Sequence, residues 1–160
     1  MAVDMFIKID KIDGESKDGK HGKEIDVLAW SWGMSQSGTT HVGSGAGAGK
    51  ASVQDLSFTK YVDSSTHALM ASCTKGTHIA KANLVVRKAG DKPLEYIKVE
   101  MEDVIVTSVS SGGSGGEDRL TENVTLNFAK VKYEYFPQAK DGSGEAAKTF
   151  NMNIAENTWK

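Results

Sequence analysis

Val106 to Phe136, the run VTSVSSGGSGGEDRLTENVTLNFAKVKYEYF, decides the fold. It reads as two long strands joined by a glycine-rich loop. The β-branched Val104, Ile105 and Val106 lead into it. Beyond the loop, Leu120, Val124, Leu126 and Phe128 hold even positions, and Thr121, Asn123, Thr125 and Asn127 hold odd ones. Period-2 alternation of this kind gives one buried and one wet face. At Ala129 the parity changes, and Val131, Tyr133 and Tyr135 become the large residues. A strand whose apolar side switches face is bulged or serves two packing surfaces. The expected second surface is a neighbouring subunit. A second parity change falls near Glu102-Asp103, between Ile97, Val99, Met101 and Val104, Val106.

The rest of the chain follows the same grammar. Val3, Met5, Ile7 and Ile9 alternate with Asp4, Phe6, Lys8 and Asp10 and predict a first strand. Asp13 to Gly22 is charged and glycine-punctuated, hence a surface loop. Ile25 to Gln36 predicts one strand. Leu28, Trp30, Trp32 and Met34 form an apolar face that anchors the core. Ala29, Ser31, Gly33 and Ser35 form a smooth face of small groups. Its plain reading is an exposed strand; the sharper one is a wall against which something fits closely. Gly38 to Lys50 (GTTHVGSGAGAGK) is nearly low-complexity and cannot pack a core. Ala51 to Tyr61 is a strand with Leu56 and Phe58 on one face and Asp55, Ser57 and Thr59 on the other.

Ser64 to Lys75 predicts the one helix, with Asp63 or Ser64 as cap and Gly76 at the left-handed C-terminal position. Leu69, Met70 and Cys73 give it a narrow apolar stripe. Ile79 to Lys88 turns Ala80, Ala82, Leu84 and Val86 inward and Lys81, Asn83 and Arg87 outward. Phe150, Met152 and Ile154 mark a last strand. About seven strands and a helix suggest a small barrel or a sandwich. Long strands with parity breaks favour the barrel, because bulges are how sheets close. The expected class is mainly β: one small barrel domain over residues 1–160, one flanking helix and extended loops.

Composition removes whole classes of function. The 160 residues suit one domain, and a net charge of -2 without a Lys/Arg run does not track phosphates. The single Cys73 forms no internal disulfide, which fits a cytoplasmic origin. Met1-Ala2-Val3-Asp4 offers neither a basic nor an apolar leader region, so no signal peptide is expected. No apolar run has the length of a membrane helix.

The catalytic motifs are weak. Gly112 to Gly116 matches G-x-S-x-G around Ser114, with His67 or His78 as conceivable bases. A hydrolase elbow passes from strand to helix, whereas here a strand follows. Ser44 to Ala51 approaches a phosphate-binding loop but has Ser44 for the first glycine and Ala51 for the hydroxyl. His21, His41, His67 and His78 lack ligand spacing, so no metal site is expected. The sequon Asn123-Val124-Thr125 lies within a strand, and Glu117-Asp118-Arg119 reads as solvated surface or an assembly rim.

Three stretches carry a resemblance: IDVLAWSWGMSQSG (Ile25–Gly38), VQDLSFTKYVD (Val53–Asp63) and SVSSGGSGGEDRLTENVTLNFAKVKYEY (Ser108–Tyr135). Together with the opening MAVDMFIKID, they resemble the haemolysin-coregulated proteins, Hcp, of bacterial type VI secretion systems. The resemblance implies a barrel subunit of a hexameric ring that stacks into a tube inside a contractile sheath. The tube leaves the cell behind a VgrG-type spike, and its lumen holds small effector proteins. It implies neither catalysis nor a cofactor, neither nucleic acid nor membrane insertion. On that reading Ala29, Ser31 and Gly33 line the lumen, with Lys81, Asn83 and Arg87 as companions. Thr39, Thr40, His41, Val42 and Gly43 reach the next protomer, and Val131, Tyr133 and Tyr135 face it. The competing classes are a serine hydrolase using Ser114 and a plain binding or adhesion module.

Overall fold

The computed structural model describes residues 2–38 and 50–160. In chain order these form β1 (Val3–Ile9), β2 (Ile25–Ser31), β3 (Met34–Ser35), β4 (Ser52–Val53), β5 (Leu56–Tyr61), α1 (Thr66–Lys75), β6 (Ile79–Lys88), β7 (Leu94–Gly112), β8 (Thr121–Tyr135), β9 (Lys148–Asn153) and β10 (Thr158–Trp159). The main sheet runs β10-β9-β8-β5-β2-β1-β6-β7, and β7 also pairs with β8. That last pairing closes β8, β5, β2, β1, β6 and β7 into a barrel. Closure removes the free edges that a sheet of this size would otherwise expose. β9 and β10 extend the sheet past the barrel on the second half of β8. The short β3–β4 ribbon stands apart.

The β7–β8 ribbon is the frame, as its sequence predicts. Both parity changes are present, and they face each other: Glu102 pairs Lys130 and Val104 pairs Phe128 without a slip in register. At the crossing Asp103 takes a left-handed φ of 57°. Asp tolerates that conformation better than a branched residue does. The inward part of the second apolar face belongs to the chain's own core. Val104, Val106, Leu126 and Phe128 on one side of the break join Val99, Met101, Val131 and Met152 on the other in one core. The ribbon turns over because the core itself turns the corner from barrel to extension.

Ile25 to Gln36 is not one strand. β2 bulges between Val27 and Ala29, where Val27 pairs Lys60 and Ala29 pairs Thr59. The extra residue, Leu28, is left exposed, and Ile25 and Val27 supply the buried side before it. After the bulge Trp30 and Trp32 pack against the core, but Met34 is exposed. Trp32 donates its indole N–H to the Gln54 carbonyl at 2.9 Å and lies over Tyr133 and Phe128. Ala80, expected inward, is exposed, because it falls at the crossing: β6 is buried at Ile79, opposite Val104, and then again only from Ala82 onward.

α1 ends as expected, with Gly76 at φ 63° and its N–H on the Cys73 carbonyl. Only Leu69 of this helix is fully buried; Met70 is exposed. The predicted surface loop 13–22 is more than surface. It folds back on the barrel, burying Ser16 and His21. Gly14 is required there, since a Cβ would come within 2.5 Å of the Glu24 carbonyl oxygen. No helix among the described residues is long and apolar enough to cross a membrane.

Candidate functional site

Four neighbouring barrel strands, β2, β5, β8 and β7, carry small polar side chains on their outer side. The register aligns them in rows. Ser31 pairs Ser57, Ser57 pairs Thr125, and Thr125 pairs Ser108. The next row is Ala29, Thr59, Asn123 and Ser110. The opposite side of β5 and β8 supplies Phe58, Val124 and Leu126 to the core, so the outer side is fixed by the alternation.

The side chains bind one another across strands. The Ser57 and Thr125 hydroxyls lie 3.3 Å apart, and Thr59 Oγ1 donates to Asn123 Oδ1 at 2.7 Å. Asp55 accepts from Asn127 Nδ2 at 2.8 Å and from Thr107 Oγ1 at 3.3 Å. Cross-strand polar pairs of this type each contribute roughly 0.2–1 kcal/mol. Their larger consequence is geometric: the polar groups of this face are turned partly toward one another. Asp55 is the only formal charge among these residues.

Of the expected wall residues, Ala29 and Ser31 belong to this face and are exposed. Gly33 lies beyond the end of β2, and its carbonyl accepts from the Gln54 N–H at 2.9 Å. Lys81, Asn83 and Arg87 do not join them, because β6 is separated from β2 by β1. Lys81 is exposed, with Nζ 3.9 Å from Glu102. Arg87 is committed elsewhere: it grips Asp18 at 2.6 Å and Asp4 at 3.1 Å and lies over the Phe6 ring. His21 stacks on that same ring, with Nδ1 2.8 Å from Glu24 and Nε2 3.4 Å from Glu95. This cluster straps the 13–24 segment to the barrel.

Hydrogen bonds from Arg87 and from the Lys20 backbone hold the Asp18 carboxyl well below the usual carboxylate range. A carboxyl depressed on folding stabilises above its unfolded value near ~3.9, and that contribution is lost as pH falls through the folded value. Arg87→Leu is therefore expected to melt below wild type at pH 7, with the gap closing as the pH drops below about 4. Thermal melts across that range check it; a constant gap would exclude the ion pair as the cause.

Thr39, Thr40, His41, Val42 and Gly43 lie outside the described residues, as does most of the near phosphate-loop match. Val131 is 4% exposed and belongs to the chain's own core, so it presents little to a neighbour. Tyr133 is half-buried against Trp32, and burial pushes its phenol up; Tyr135 is open at 41%. Ser114 sits in the exposed turn between β7 and β8, with no following helix to aim it. His67 is exposed on α1, and His78 Nε2 lies 3.0 Å from Asp103. Asn123 of the sequon is occupied by Thr59.

Ser57, Thr59, Asn123 and Thr125 were visible in sequence as wet strand positions. Their assembly with Ser31 was not, because it depends on the non-local pairings β2–β5 and β5–β8.

Comparison with known proteins supplies the frame for this face. The family model described as "Type VI secretion system effector, Hcp" matches residues 6–135. Protein hcp1 of Pseudomonas aeruginosa is 59% identical over 159 residues, covering 98% of each chain. The crystal structure of Hcp1 from Salmonella typhimurium superposes with a TM-score of 0.80 at 39% identity, over 100% of both chains. A structure described as a type six secretion system protein reaches a TM-score of 0.92 at 32% identity, over 99% of this chain and 100% of its own. With a barrel of this topology and a family match over most of its length, the chain belongs to the Hcp family of type VI secretion proteins.

Proposed function

We propose that the chain is a tube subunit, closing into hexameric rings that stack and are exported through a contractile sheath behind a VgrG-type spike. The four-strand polar face is its lumen wall, and small effector proteins are carried against it. The carrying observation is the composition of that face: small polar side chains, exposed or half-buried, hydrogen-bonded among themselves, with one charge in the two rows and their flank. A surface that must stay hydrated when empty and accept a protein when filled needs these properties together. A head-to-tail interface whose rotation closes gives a ring. The chain's role on this reading is structural, with no catalytic step.

Ser31 is the test position, since it is exposed and its strand partner Ser57 is equally small. Ser31→Gln adds bulk to a close-packed contact, which costs roughly 1–3 kcal/mol. Retention of a co-expressed effector is expected to fall about tenfold, while the light-scattering mass stays that of a ring. Loss of the ring would make Ser31 structural. Retention of both ring and effector would place the wall elsewhere.

A further inference from the structure

On this face, most polar side chains are already spoken for. Ser57 is tied to Thr125, and Thr59 to Asn123. What these pairs keep, the Asn123 amide hydrogens and the hydroxyl lone pairs, is neutral and favours neither sign of partner. Asp55 is different. One oxygen accepts from Asn127 at 2.8 Å, and the other lies 3.3 Å from the Thr107 hydroxyl, whose single proton is shared with the Thr125 carbonyl at 3.2 Å. A carboxylate has about four acceptor positions, so roughly two remain for an incoming group. The two neutral donors fix its orientation without cancelling its charge. The residue is half-buried at the foot of β5, level with Asn127 and next to the Ser57 row.

We infer that Asp55 is the charge-selecting contact of this face, and that the surface it takes is a Lys- or Arg-bearing stretch of a cargo protein. The inference rests on the lumen-wall reading. The hydroxyl rows provide fit without preference for sign, and the carboxylate fixed among them provides the preference; Asp26, exposed earlier in β2, lies beyond the rows. A cationic group completes its coordination with charge-assisted hydrogen bonds, whereas an acidic cargo is repelled. A ring repeats the contact once per subunit, so a modest individual preference is multiplied when a cargo touches several.

The test uses two fluorescein-labelled peptides of Gly, Ser and Asn, one carrying three Lys and the other three Glu. Fluorescence anisotropy is measured against the full chain, with its assembly state followed by light scattering. The lysine peptide is expected to bind on the order of fivefold more tightly at low salt, the upper end for one exposed ion pair. That preference disappears at about 0.5 M salt. Asp55→Asn keeps the shape and loses the preference, and Asp55→Glu keeps both charge and preference. Asp91→Asn, in the exposed β6–β7 turn, leaves it unchanged. A preference that survives Asp55→Asn, or falls equally in Asp91→Asn, overturns the inference, as does failure of either peptide to bind. A chain that forms no ring but shows the Asp55-dependent preference fails the tube reading and keeps the charge selection. A ring without that preference does the reverse.

Discussion

Lys60→Met is expected to destabilise the folded chain by roughly 3–5 kcal/mol, the range for breaking a buried ion pair from one side. Lys60 points into the barrel with no exposure, and its ammonium is paired with Glu122 and lies 3.0 Å from Asp63. Glu122 is 1% exposed. Its Oε1 also accepts from Thr66 Oγ1 at 2.7 Å, and its Oε2 has no partner. Removing the lysine strands a carboxylate in the core with one hydroxyl for company. Glu122→Leu is milder, because Lys60 keeps Asp63. The double variant Lys60→Met/Glu122→Leu recovers much of the loss, since an apolar pair of similar volume replaces the ions. Urea unfolding at fixed protomer concentration measures all three, as assembly shifts apparent stability. A cost below about 1 kcal/mol for Lys60→Met would mean that the pair behaves as a surface one.

Lys60 also shows where sequence reading stops. It stands at an even position in Leu56-Ser57-Phe58-Thr59-Lys60, so its burial follows from the alternation. What makes that burial tolerable is paired charge, from Asp63 three residues on and from Glu122, 62 residues away. Local pattern was enough for the β7–β8 ribbon, for both parity changes and for the Gly76 stop, because each is written within a few residues. Local pattern misled in Ile25–Gln36. There an unbroken series of large even residues concealed the bulge at Leu28, whose cause is the register with β5. The stretch 13–22 reads as a surface loop because its Gly and charged residues are loop-like. What holds it down is Phe6, stacked on His21, and Arg87, bound to Asp18, both from strands elsewhere in the chain. The candidate face divides the same way. The smallness of Ala29 and Ser31 is local, but their separation from Lys81, Asn83 and Arg87 is decided by β1 lying between.

Leu69→Ala is expected to cost roughly 2–5 kcal/mol, as for other buried leucines truncated in a close-packed core. The helix gives it unusual leverage. A ten-residue helix is marginal alone, and α1 buries only Leu69 fully. Its other anchor is the Thr66 hydroxyl on Glu122 at the N-terminal end. With Leu69 truncated, the middle of α1 has only half-buried Ala68 and Cys73 to hold it against the core. Met70→Ala, one position along and 40% exposed, is expected to stay within about 0.5 kcal/mol. Urea unfolding separates the two variants. Amide exchange then locates the damage: residues 66–75 should exchange faster in Leu69→Ala, while β7 and β8 keep most of their protection. Uniform loss of protection across the barrel would instead make Leu69 part of the barrel's own cooperative core rather than the peg that docks the helix.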